Sequence, residues 1–497
     1  MKRVLFLGLL ALWAWAHAKV YWPAGEGLLI GEERAGVLRF LGIPYARAER
    51  FRPPELIGLP KGTFDARRPG PACPQRGSVE IRLGAYLPPQ REDCLNLNLW
   101  VPASPAPPGG WPVMVYLHGG SFTGGGGAVP IYDGSALARR GVIVVTINYR
   151  LGPLGFLALP GLGEGNGNFG LLDQIAALRW VRENIRVFGG NPERVTLFGE
   201  SAGAMSACAL LTSPLAQGLF SRVILQSGGC DQVKTLEEGF EDAARIGEKL
   251  GCAPEDLGCW ENLPVERYLT LFDRFDPLFD FNQAPFKPHV DGDVLPEFPE
   301  TALEKGAGEE VAMIAGANAE EYRLNLALYA VGPRSWKAFR ALVKERGVDP
   351  EQALAHYQSR FADPLEAFYA FETERVLLCP TLRAARKHRG KTYAYLFSYR
   401  PETLPFAGAF HGLDIAFVFD TYEVWPFWLV FMTVPELEAA RPLGWRMQEL
   451  WTDFAKGAPL KAGLLFWPEY ESGWVIGFDR RTGWREDPFP ERCDLFR

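Results

Sequence analysis

The chain has 497 residues, of which 47% are hydrophobic and 22% charged, the make-up of a folded globular protein rather than a disordered or fibrous one. The formal net charge is -7, with acidic and basic residues mixed along the chain. That excludes the clustered Lys and Arg of a nucleic-acid footprint, and the short basic stretch 383–389 reads as a solvated helix face.

The chain opens on Lys2 and Arg3, continues with an apolar run over 4–16, and reaches Ala16-His17-Ala18. A basic start, a short apolar stretch and an A-x-A site make a secretory signal peptide over 1–18, cleaved after Ala18. The run is shorter than the roughly 20 residues that a membrane span needs, and no other span is visible. The expectation is therefore one mature domain over 19–497, secreted or periplasmic, with no membrane span after cleavage. Its eight cysteines are an even count suited to disulfides in an oxidising compartment. They lack zinc-site spacing, with no CxxC pair or clustered His beside them.

Past the Pro/Gly connection over 102–110, short β-branched runs at 112–117 and 142–148 predict buried strands. Helical periodicity follows over 169–187. A strand over 195–199 leads at once into a small-residue helix over 202–211, and further strands are predicted at 223–226, 311–315 and 392–397. Strands alternating with helices imply an α/β fold, with a mostly parallel central sheet covered on both faces. In such sheets chemistry sits at the carboxyl ends of the strands.

Gly199-Glu200-Ser201-Ala202-Gly203 stands between a predicted strand and helix. This is G-x-S-x-G in the setting its mechanism requires: a sharp turn exposes the serine Oγ, and the helix N-terminus favours developing negative charge. Ser201 is the candidate nucleophile, and Glu200 beside it either tunes that charge or is a satisfied buried carboxylate. After the strand at 112–117, His118-Gly119-Gly120-Ser121-Phe122 has the form of a loop whose backbone N–H groups stabilise an oxyanion. Of the six histidines, His17 falls in the signal and His118 in this loop, His289 precedes a candidate acid, and His356 and His388 read as surface residues. His411, in a glycine-flanked loop after the strand at 392–397, remains as the base. The acid follows the strand at 311–315, where Glu320 and Glu321 stand together, with Asp291 a third choice.

Several motifs, in order, now resemble the type-B carboxylesterase family, which includes the cholinesterases. They are Glu92-Asp93-Cys94-Leu95-Asn96-Leu97-Asn98, Asn148-Tyr149-Arg150-Leu151-Gly152 with Leu154-Gly155-Phe156-Leu157, Gly167-Asn168-Phe169-Gly170-Leu171-Leu172-Asp173-Gln174, and Phe188-Gly189-Gly190-Asn191-Pro192. The GESAG elbow and Gln226-Ser227-Gly228 complete the series. The resemblance implies an α/β-hydrolase fold with cap or gorge insertions. It also implies hydrolysis of carboxylic esters through an acyl-enzyme by a Ser201, Glu321, His411 triad, which needs neither a metal nor an organic cofactor. The acid is carried over from the family's N-x-x-E pattern, here Asn318 to Glu321; Tyr322 stands where a glycine usually follows, which keeps Glu320 as the alternative. The oxyanion donors carried over are the N–H groups of Gly120, Ser121 and Ala202. The same resemblance pairs Cys73 with Cys94, Cys252 with Cys259 and Cys379 with Cys493, and leaves Cys208 and Cys230 over, expected free and buried.

Cholinesterases hold choline against a tryptophan in the loop before the EDCL cysteine. None lies between Cys73 and Cys94 here, so an uncharged, short to medium ester is the expected small-molecule partner. Tyr422, Trp425, Phe427, Trp428 and Phe431 are candidates for its apolar pocket or for ordinary core. A relative that kept the fold only as a binding module would lack the serine. The same triad would also serve amides, carbamates or lactones.

Overall fold

The computed structural model describes residues 18–77, 86–273, 284–328, 331–424, 433–462 and 465–496. Twelve strands form the spine: β1 (Ala18–Ala24), β2 (Gly27–Arg34), β3 (Val37–Pro44), β4 (Asn96–Pro102), β5 (Trp111–Leu117), β6 (Ile143–Ile147), β7 (Gly190–Glu200), β8 (Arg222–Gln226), β9 (Ala312–Asn318), β10 (Thr392–Phe397), β11 (Trp474–Phe478) and β12 (Gly483–Glu486). They lie in the order β1-β2-β3-β4-β6-β5-β7-β8-β9-β10-β11-β12, with a short strand at Gly62–Asp65 beside β2. From β6 to β11 every pairing is parallel, whereas β1 to β4 and β12 are antiparallel to their neighbours in this order, and the short strand runs parallel to β2. The six strands expected from sequence all form within this sheet. The signal segment lies outside the described residues except for Ala18, which pairs with Glu33 at the start of β1.

The alternation of side chains across the strands builds two cores. On β5, Val113, Val115 and Leu117 enter one cluster while Met114 and Tyr116 enter the other. On β8, Val223 and Leu225 oppose Ile224 in the same way. Because both faces are apolar, these strands read as continuous hydrophobic runs rather than alternating ones. Helices α1 (Phe169–Asn184) and α2 (Ala202–Thr212) supply one covering layer; α4 (Leu413–Phe419) and α5 (Val434–Lys456) pack on the opposite core. A fifth helix, α3 (Cys379–Lys387), lies against β9.

Three expected disulfides are present, Cys73–Cys94, Cys252–Cys259 and Cys379–Cys493. The leftover pair is a correction. Cys208 and Cys230 form a fourth bridge, because α2 packs against β8 and brings its buried Cys208 to a Cα–Cα distance of 5.4 Å from Cys230, four residues past the end of β8. The basic stretch 383–389 also differs from expectation. Arg383 pairs with Glu300 and donates to the carbonyl of Phe496, so the C-terminal segment covers part of this face. His388 is buried, not a surface residue, with Thr392 and the Gly308 carbonyl on its two nitrogens.

Candidate active site

β7 ends at Glu200 and α2 begins at Ala202, so Ser201 alone makes the turn. Its backbone is left-handed, φ 57° and ψ -126°, a conformation that costs a residue with a Cβ on the order of 1–3 kcal/mol. The surroundings hold it there. The Ser201 N–H donates to Gln226 O at 2.9 Å, and Gly203 lets the new helix close on β5, since a Cβ there would stand 2.0 Å from Leu117 O. Ser201 is only 7% exposed.

The loop after β5 turns back under the elbow. A Cβ on Gly119 would lie 3.0 Å from Ser201 Cβ and 2.8 Å from Glu200 Oε2, so this glycine is what allows the two segments to touch. Gly120, Ser121 and Phe122 all have positive φ. Among the described residues neither the Gly120 nor the Ser121 N–H donates to a backbone acceptor. Ala202 is the first residue of α2, where an N–H has no acceptor within the helix. His118 opens the loop as a buried neutral ring: burial lowers its pKa to about 4, Tyr149 stacks on it at 4.4 Å, and its Nδ1 lies 2.8 Å from Gly119 O.

His411 arrives on the loop between β10 and α4. Its Nδ1 lies 2.7 Å from Glu321 Oε2, and its backbone N–H donates to Glu321 O at 3.0 Å. Glu321 is fully buried, and its other oxygen accepts the Asn318 N–H at 2.7 Å. Glu320 turns the other way, accepting from Arg400 and from the Ala409 N–H, and so fastens the histidine loop without reaching the imidazole. Asp291 closes a turn by accepting the Leu295 N–H. The far nitrogen of His411, Nε2, lies 3.2 Å from Glu200 Oε1. Burial disfavours the imidazolium, but Glu200 and Glu321 outweigh it, and the pKa of His411 is raised above the ordinary imidazole value.

A polar layer beneath this centre had no role in the sequence reading. Asp414 is buried and accepts from Gln226 Nε2 at 2.7 Å, Tyr395 OH at 3.2 Å and Asn318 Nδ2 at 3.3 Å. Burial and the charge of Glu321 push Asp414 up to about 6, against the pull of its amide donors. Asn318 thus joins two carboxylates, with its backbone to Glu321 and its side chain to Asp414. The sequence signal for it was that Gln226 and Asn318 fall inside family motifs and that Asp414 follows His411 by three residues. Of the aromatic run, Tyr422 packs against Phe417 in the core, while Trp425, Phe427, Trp428 and Phe431 lie outside the described residues. No group of His, Cys, Asp and Glu suited to a metal ion occurs among the described residues.

A serine on a strained strand-to-helix turn, a glycine-rich loop packed against it and a carboxylate-held histidine are kinds of group that an acyl-transfer site requires, and the relatives of this chain are esterases. Residues 22–496 match the model of the carboxylesterase family. The chain is 35% identical over 479 residues to the para-nitrobenzyl esterase of Bacillus subtilis (strain 168), covering 94% of this chain and 96% of that one. It is 36% identical over 471 residues to the fumonisin B1 esterase of Sphingopyxis macrogoltabida, covering 89% and 84%. A solved PNB esterase structure superposes with a TM-score of 0.83 at 34% identity, covering 96% of this chain and 99% of that one. The chain therefore belongs to the carboxylesterase family and is a carboxylic ester hydrolase of the α/β-hydrolase fold.

Proposed function

We propose that the protein hydrolyses uncharged, short to medium carboxylic esters through an acyl-enzyme on Ser201. The observation that carries this reading is the 2.7 Å contact between Glu321 and His411 Nδ1, which leaves Nε2 turned toward the serine elbow. His411 takes the Ser201 proton as Oγ attacks the ester carbonyl and returns it to the departing alcohol. It then activates the water that frees the acid. Glu321 fixes the imidazole tautomer and stabilises the imidazolium. The N–H groups of Gly120, Ser121 and Ala202 bind the oxygen that becomes negative, each donor worth about 10²- to 10³-fold in rate. A choline-like cation is not the expected substrate, for want of a tryptophan between Cys73 and Cys94.

Residues 19–497 are read as one domain, supported by β1 and β11 belonging to one sheet with the elbow strand between them. Export is supported by the basic-apolar-AxA start and by four disulfides, and no helix among the described residues is long and apolar enough to cross a membrane. Cleavage after Ala18 would cost β1 only its first pair.

The deciding assay sets the mature protein against p-nitrophenyl esters from acetate to dodecanoate, beside Ser201→Ala. The expected kcat loss is about 10⁴- to 10⁶-fold, and the chain-length profile sizes the acyl pocket. Retained turnover in the variant would remove Ser201 from the mechanism.

A further inference from the structure

We propose that Gln75 is a positioning residue for the oxyanion loop, the strut through which the disulfide-closed segment between Cys73 and Cys94 sets the direction of the Gly120 and Ser121 amides. The proposal rests on the reading of those amides as oxyanion donors.

Gln75 is two residues past Cys73 and 2% exposed. Its side-chain amide meets the backbone of Gly125 in both directions: Nε2 donates to Gly125 O at 2.6 Å, and the Gly125 N–H donates to Oε1 at 2.7 Å. The second hydrogen on Nε2 goes to Cys73 O at 3.1 Å, so the amide also braces the bridge residue itself. The Gln75 N–H in turn donates to Gln90 Oε1 at 2.8 Å, which fastens this side of the segment to its returning limb. A paired amide of this kind fixes both position and rotation of the peptide it grips, which a single hydrogen bond does not.

What Gln75 grips lies against the donors. Gly125 is left-handed, φ 107°, and a Cβ on it would stand 2.4 Å from His118 Nδ1 and 2.6 Å from Gly119 O. A Cβ on Gly120 would stand 2.1 Å from Gly124 O, and Gly120 O accepts the N–H groups of Thr123 and Gly124 at 3.0 Å. The loop is thus folded flat on itself, its outgoing glycines against its returning ones with no side chain between. A run so rich in glycine has little conformational preference of its own. Displacing Gly125 therefore shifts the Gly119–Gly120 peptides, and the donors lose their aim at an oxygen that carries charge only in the transition state.

The test uses the full mature protein carrying Gln75→Met, which keeps the length and bulk of the side chain and removes its hydrogen bonds. Gln75→Glu, which keeps the acceptor for the Gly125 N–H and loses the donor, stands in if the first variant does not fold. For p-nitrophenyl butyrate the expected result is a kcat about 10- to 100-fold lower with KM changed little, less than the loss of a whole donor. A trifluoromethyl ketone, whose serine adduct bears the same oxyanion, should bind more weakly by the factor lost in kcat/KM. Thermal melts establish that the variant is folded at the assay temperature. A folded variant with wild-type kcat, or one with lowered kcat and undiminished ketone affinity, overturns the role of Gln75. If instead wild type ignores the ketone and Ser201→Ala keeps its activity, it is the underlying reading that fails.

Discussion

His411 stands among three buried carboxyl groups, Glu200 at its Nε2, Glu321 at its Nδ1 and Asp414 behind them. In the proposed mechanism His411 must be neutral to accept the Ser201 proton, and negative neighbours favour its charged form. A raised pKa therefore moves the acid limb of kcat/KM to higher pH, and the free enzyme gains activity as pH rises through that value. Removing one negative neighbour reverses the sign. Glu200→Gln should carry the acid limb of the pH profile down by about one unit or more, read from kcat/KM of a neutral ester across pH 5 to 10. A limb that stays in place would mean that Glu200 does not set the charge of His411. The choice between two adjacent glutamates belongs to this scale as well. Glu321 reaches the imidazole and Glu320 reaches Arg400 because consecutive residues after β9 point to different sides of the chain. Their neighbours in sequence are the same, so only the family's N-x-x-E spacing favours Glu321, and Tyr322 leaves Glu320 open.

At the scale of elements, the elbow joins β7 to α2, and α2 is tied to the end of β8 twice. The Ser201 N–H donates to Gln226 O, and Cys208 is bridged to Cys230. The bridge closes a 22-residue separation, and in the chain-entropy model its removal costs on the order of 3 kcal/mol. The double variant Cys208→Ala, Cys230→Ala should unfold at correspondingly lower urea, measured by near-ultraviolet circular dichroism. An unchanged midpoint would show that the bridge adds nothing to the packing of α2 on β8. The strands and α2 themselves were legible as elements. Each is a continuous apolar or small-residue run, and a sheet buried on both faces and the helix packed on it need just that. The bridge was not legible, because two cysteines at that spacing pair only once α2 lies along its neighbour strand.

For the whole molecule, the far end of the chain is held by Cys379–Cys493 and by ion pairs of Glu374 with Arg360 and Arg492, while Arg383 takes the Phe496 carbonyl. Glu374 is fully buried, and its two arginines hold its pKa below the ordinary carboxylate value despite burial. The disulfide spans 114 residues, which puts its contribution in the chain-entropy model at about 4.8 kcal/mol. Cys379→Ala with Cys493→Ala should therefore lower stability more than loss of the Cys208–Cys230 bridge does, measured in the same urea series. A smaller loss would show that the ion pairs hold the C-terminus unaided.

Sequence alone determined the architecture and the identity of the chemistry, because both are written in contiguous patterns. A strand buried on both faces, an elbow that needs glycine two residues to either side of its serine and a glycine loop each impose their demand on neighbouring positions. Tertiary structure decided which carboxylate meets His411, that Cys208 meets Cys230, and that Gln75 and Asp414 stand behind the site. Those contacts join residues 22 to 188 positions apart. They exist only where packed strand ends and loops bring the partners within bonding distance, and no local pattern carries that distance.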